Sequence, residues 1–188
     1  AMRLSNALSP LLAAWCCLVL LTDLRGADWP RWCGHNDGNM VCGETGLPAG
    51  FEPGQKDPKG SSISLETTKN VKWVAKLGLY AFGNPTVADG RVYVGTDDLT
   101  LADDPRFSRS KGGLIKCFDE ETGELLWQLA TPVRTKGLHP EIHFSQQHLG
   151  VCSSPTIEDG KVYVVGSGGD VLCLDAGGQA DGNGGPFL

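Results

Sequence analysis

The sequence predicts an all-β fold of repeated antiparallel units, and an internal repeat with its turns carries that prediction. Residues 85–94 read Pro-Thr-Val-Ala-Asp-Gly-Arg-Val-Tyr-Val and residues 155–164 read Pro-Thr-Ile-Glu-Asp-Gly-Lys-Val-Tyr-Val, so seven of ten positions are identical and two more are conservative. In each copy an apolar stretch meets an Asp-Gly pair (Asp89-Gly90, Asp159-Gly160) and then a β-branched and aromatic run. That is the strongest short-range signal for a β-hairpin. A repeat of hairpins implies units that stack on their neighbours.

The segments after the hairpins repeat as well. Gly113-Leu-Ile-Lys-Cys-Phe-Asp119 follows the first and Gly169-Asp-Val-Leu-Cys-Leu-Asp175 the second, each an apolar strand with Cys two places before a closing Asp. In the first copy a turn over Glu120-Glu-Thr-Gly123 leads into Glu124-Leu-Leu-Trp-Gln-Leu129, where Trp127 and Leu129 alternate with polar neighbours. Four antiparallel strands in a meander make one blade of a β-propeller. Because strand side chains alternate, Val92 and Val94 should face as Val162 and Val164 do, with Tyr93 and Tyr163 on the opposite faces. Cys117 and Cys173 hold one repeat position and are expected as buried thiols.

The pattern Pro-Thr-Val-x-Asp-Gly-x-Val-Tyr-Val, followed by Cys-Phe-Asp-x-x-Thr-Gly-x-x-x-Trp from Cys117 to Trp127, resembles the blade repeat of pyrroloquinoline-quinone-like propellers. That group includes quinoprotein alcohol dehydrogenases and the outer-membrane assembly lipoprotein of the BAM complex. The resemblance covers roughly residues 70–176, and it implies a fold far more than a function. Asp28-Trp-Pro-Arg-Trp32 and Gly43-Glu-Thr-Gly-Leu-Pro48 are similar to the lead-in of secreted bacterial members.

The resemblance divides the chain. Residues 1–27 read as a signal peptide or N-terminal anchor: Met2-Arg3 is a short basic start and residues 7–21 are apolar apart from Ser9, a length that fits a secretory leader better than a bilayer span. Ala27 suits the last residue of a cleaved leader but Arg25 sits where a small residue is preferred, so both readings stay open. Residues 28–69 form a loop-rich lead-in. Residues 70–188 are expected to hold a lone closing strand at 71–77, with Trp73 matching Trp127, a first blade at 83–132, a partial second blade at 152–176 and a Gly-rich connection at 177–188. About two blades are fewer than the four to eight of a propeller, so the chain reads as an N-terminal fragment of a longer protein.

Charge and cysteine usage narrow the function classes. The formal net charge is −6, and nucleic-acid binding, which needs a basic face to neutralise phosphates, is disfavoured. Beyond the leader lie Cys33, Cys42, Cys117, Cys152 and Cys173. Cys33 and Cys42 are close in sequence and are the disulfide candidate in an oxidising compartment.

In an up-and-down blade the first-to-second and third-to-fourth turns share one end. Tight turns are expected there, while the long segments Thr96 to Gly112 and Thr131 to Cys152 emerge together at the other end, which in repeat proteins is often the binding face. Arg106, Arg109, His139, His143 and His148 are the candidate binding residues of that face. His139-Pro-Glu-Ile-His143 does not match the helical zinc motif, since Pro140 stands where the catalytic Glu belongs, and no metal site is assigned. The resemblance to quinoprotein dehydrogenases implies a vicinal Cys-Cys disulfide, a Trp beneath the quinone and a Ca²⁺ cage; the only adjacent cysteines, Cys16-Cys17, fall in the leader, so no cofactor is assigned. The leading expectation is an exported, periplasmic or envelope-associated scaffold that binds a protein or carbohydrate partner through its long-loop face, with membrane association through residues 7–21 as a further possibility. The alternative is a quinone-dependent dehydrogenase whose active site lies largely outside this fragment.

Overall fold

Asp89 and Gly90 have φ of 53° and 73°, and Asp159 and Gly160 have 49° and 69°. Two successive residues in the left-handed region make the hairpin turn whose twist matches that of the flanking strands, which is why both copies use Asp-Gly. The computed structural model describes residues 26–58, 60, 62–103, 105, 107–133 and 147–178. The leader and its apolar stretch, Arg106, His139, His143 and most of the 177–188 connection lie outside the described residues.

Strands β1 (Gln55–Lys56) and β2 (Ile63–Ser64) form a small hairpin in the lead-in. The first large sheet contains β3 (Thr86–Ala88), β4 (Arg91–Asp97), β5 (Gly113–Asp119) and β6 (Leu125–Thr131), all antiparallel and in that spatial order. The second contains β7 (Thr156–Glu158), β8 (Lys161–Val165) and β9 (Val171–Asp175), again in chain order. Among the described residues there is no α-helix, only 3-10 turns at Leu65–Thr67 and Leu99–Asp103. These are one four-stranded blade and three strands of the next.

The registers of the two sheets coincide. Tyr93 sits opposite Thr86 and Cys117, and Tyr163 sits opposite Thr156 and Cys173; Val92 pairs with Phe118 as Val162 pairs with Leu174. The paired valines therefore face alike and the tyrosines take the other face, as the repeat predicts. The tyrosine face of the first sheet packs on the valine face of the second, and their shared core holds Tyr93, Ile115, Cys117, Trp127, Val162 and Val164. Tyr93 Oη and Trp127 Nε1 both donate to the Ala176 carbonyl, at 3.2 and 3.1 Å. One blade thus grips the end of the next through two hydrogen bonds buried in apolar surroundings, where such bonds are strong.

Trp73 repeats this device one unit earlier. Its Nε1 donates to the Glu120 carbonyl at 2.8 Å, just past Asp119, as Trp127 reaches Ala176 just past Asp175. Each indole also lies against a glycine: a Cβ at Gly123 would come within 2.5 Å of the Trp73 ring, and one at Gly178 within 2.7 Å of Trp127. Trp73 further packs on Phe118, with ring centroids 6.3 Å apart. The pairing of Trp73 with Trp127 holds, but the expected strand at 71–77 has no ladder partner among the described residues.

Two cysteine expectations change. Cys117 is buried whereas Cys173 is exposed, because the second sheet covers the tyrosine face of the first and no described residue covers the same face of the second. Cys33 and Cys42 stand as separate thiols; Cys33 sits at φ 70° in a loop closed by Met40 N donating to its carbonyl. The lead-in instead acts through Trp29 and Pro30. Trp29 exchanges both backbone hydrogen bonds with Val87 on β3, and Pro30 O accepts from Ile157 N on β7 at 2.7 Å. This clasp spans the first strands of both sheets.

Candidate functional site

The long connections leave the sheets at one end, as the meander requires, and two buried aspartates fix the first of them. Asp97 ends β4, and its carboxylate accepts from Tyr80 N at 2.6 Å and Leu99 N at 2.7 Å. Asp98, fully buried, accepts from Ser110 N at 2.6 Å and from Arg109 Nε at 3.1 Å. A buried carboxylate is tolerated only when such donors surround it. Arg109, a candidate binding residue, is therefore committed to holding its own loop. The sequence signal for this pin is an Asp-Asp pair at the end of a strand, which has no counterpart in the second copy of the repeat.

The second connection returns beside the first. Val151 N donates to Thr96 O at 3.2 Å, and the Val151 side chain is fully buried against Gly95 and Gly113, where a Cβ would come within 2.6 and 2.5 Å of residues 150–151. Only glycine lets the loop lie this close to the strands. His148 is held on the loop face, its Nδ1 3.3 Å from the Lys111 carbonyl oxygen. His148, Lys111, Val133, Cys152 and Ser153, with the β8–β9 turn at Gly166 and Ser167, line a cavity of about 540 Å³. Cys152 is exposed as a residue, yet partial desolvation of its sulfur pushes the thiol above its usual pKa, which disfavours the nucleophilic thiolate. Ser167 is tied to the first blade through Thr131, whose carbonyl accepts from its Oγ at 2.8 Å.

A second groove, of about 480 Å³, adjoins the first and shares Cys152 and Ser153 with it. Its other lining residues are Trp32, Phe82, Asn84, Ser154 and Thr156. Here the repeat extends further upstream than residue 85: Phe82-Gly-Asn-Pro85 and Cys152-Ser-Ser-Pro155 occupy the same place before β3 and β7. They abut, with Asn84 N donating to Ser154 Oγ at 2.8 Å. Trp32 and Phe82 are 63% and 59% exposed, and Phe82 stacks on Tyr80 with centroids 5.8 Å apart. Among the described residues no charged side chain lines this groove. These residues carry no reactive-group motif, so nothing in the sequence marks them as a site.

Residues 99–183 match the family model described as outer membrane protein assembly factor BamB. The repeat that this model describes is of the pyrroloquinoline-quinone-like propeller type, and the chain is similar to it over those residues. No curated protein matches the chain. The matched span begins in the first blade's long loop and runs past β9, so it contains Trp127 and Ala176 of the blade-to-blade interface but not Tyr93. For a repeat of this type the quinone itself is the cofactor to test, and the residues present do not fit it. The thiol of the larger cavity, Cys152, is flanked by Val151 and Ser153 rather than a second cysteine, and no group of three His, Cys, Asp or Glu among the described residues could hold its cation.

Proposed function

We propose that this chain is an exported, envelope-associated propeller scaffold that binds a protein or carbohydrate partner through its long-loop face, with a neutral saccharide the best match to the groove. The observation that carries this reading is the groove, uncharged among the described residues, bounded by the exposed rings of Trp32 and Phe82 beside Asn84, Ser154 and Thr156. Flat apolar rings offer large contact area at small entropic cost, and a few placed hydroxyl and amide groups orient a ligand. The envelope reading draws on the matched family, whose description names an outer-membrane assembly factor, and on the leader-like residues 1–27. The chain's part is to hold its loops rigid and fill the groove's walls; no bond is made or broken.

Titration of the full chain with a panel of neutral oligosaccharides and extended peptides, read by tryptophan fluorescence, tests the reading. Saturable quenching that falls at least tenfold in affinity in Trp32→Ala and in Phe82→Ala, with the circular dichroism unchanged, is the expected result. Binding that neither substitution weakens would place the partner elsewhere and overturn it.

A further inference from the structure

Beside the groove, the lead-in builds a further cavity of polar character. Pro30, Arg31, His35, Asn36 and Asp37 line a space of about 410 Å³. The clasp holds its walls: Trp29 is fixed to Val87 by two backbone hydrogen bonds, and its ring lies against His35 with centroids 6.2 Å apart. Gly34 N donates to Arg31 O and Gly38 N to His35 O, both at 3.0 Å, so the chain turns twice within the lining. A Cβ at Gly34 would come within 2.8 Å of the Trp29 ring, and glycine alone lets the first turn lie on the indole.

The lining holds donors and acceptors that the described residues do not use up. Arg31 Nε is buried without a hydrogen-bond partner among them, and Arg31 Nη2 meets Glu158 Oε1 only at 3.6 Å. A buried N–H without an acceptor is destabilising, and a ligand oxygen set against it relieves that. Asp37 accepts from Asn39 N at 3.4 Å and from Asn39 Nδ2 at 2.7 Å, one at each oxygen, which leaves lone pairs on both. Asn36 adds an amide that both donates and accepts. The carboxylates of Asp37 and Glu158 offset the Arg31 guanidinium, so an anion is disfavoured, and a cation could not accept from Arg31. Vicinal hydroxyl groups fit, because each donates one hydrogen bond and accepts others.

Cavity and groove are built on the same two backbone segments. Arg31 is the chain neighbour of Trp32, which lines the groove, and Pro30 O accepts from Ile157 N, next to Thr156 of the groove. We propose that the cavity of Arg31, Asn36 and Asp37 is a second saccharide subsite, which takes the vicinal hydroxyls of a neutral sugar unit joined to the one in the groove. This subsite rests on the saccharide reading of the groove and sets a ligand at least two units long.

Calorimetric titration of the full chain with neutral oligomers of glucose, mannose and N-acetylglucosamine, from one to about six units long, is the test. The expected result is an affinity that rises at least tenfold with length within a series. Arg31→Gln should weaken the longer oligomer at least fivefold and leave the shortest one that binds unchanged, whereas Trp32→Ala weakens both. Asn36→Ala, at an exposed position, serves as a second variant if the first fails to fold. If these two variants weaken short and long oligomers alike, or neither, while Trp32→Ala still weakens binding, the subsite falls and the groove reading stands. Affinity that does not grow with length also overturns the subsite, as does tighter binding of uronic acid or glucosamine oligomers than of neutral ones of equal length. Absence of binding by every saccharide overturns the groove reading and the subsite together.

Discussion

At the scale of single residues, the interface between blades is a set of neutral groups kept neutral by burial. Removal from water pushes the Tyr93 hydroxyl from its ordinary 10.0 to about 12, and the Cys117 thiol from 9.0 to about 12. For an acid whose pKa is raised in the folded state, the unfolded chain loses its proton first. Stability from these groups is therefore complete below about pH 9 and declines as the pH rises toward 12. Lys116, lowered by its own burial, contributes with the opposite sign, so the informative quantity is a difference between variants. Urea unfolding from pH 7 to 10.5 should show a steeper alkaline loss of stability in the parent than in Cys117→Ala; parallel curves would mean the thiol is not desolvated. Cys117 also shows what one sequence can and cannot disclose. Its repeat position predicts burial and is right, whereas Cys173 shares the position and is exposed, because burial depends on the next unit as well as on the strand.

At the scale of elements, strands and tight turns were legible because their chemistry is local. Asp-Gly at 89–90 and 159–160 sets backbone angles that few other pairs reach, and the alternation of Val92, Tyr93 and Val94 fixes which side chains share a face. The loops were not legible, since their shape rests on contacts made across the fold. Arg109 reads as a binding side chain and forms an ion pair with Asp98, while Trp32 reads as lead-in and Phe82 falls between the expected closing strand and the first blade. The Asp98 anchor gives an element-scale prediction. Asp98→Ala removes the acceptor of Ser110 N and the partner of Arg109, and hydrogen bonds to a charged group contribute about 1.5–3 kcal/mol each. We expect a loss of about 2 kcal/mol in unfolding free energy, with Arg109 being half-exposed and able to regain water. We also expect faster proteolysis within 98–112 than within the strands. An unchanged cleavage pattern would show that the loop is held by other contacts.

At the scale of the whole molecule, the account rests on two repeats packing as one unit, clasped along their first strands by Trp29 and Pro30 and joined by Tyr93 and Trp127 at Ala176. The fold class and the order of blades follow from the repeat; the groove does not, because it forms only where Phe82-Gly-Asn-Pro85 meets Cys152-Ser-Ser-Pro155 across that interface. If the repeats were independent, the groove would have no fixed walls and the binding reading would not stand. Replacing a well-buried Trp by Ala costs about 3–5 kcal/mol, and in a single unit that cost is felt by both sheets. Native-state hydrogen exchange of the parent and Trp127→Ala measures this directly. The account predicts that amides of β4, β5 and β8 open with one common free energy, lowered equally by the substitution; exchange in β8 that is independent of β4 and β5, or insensitive to Trp127→Ala, would contradict it.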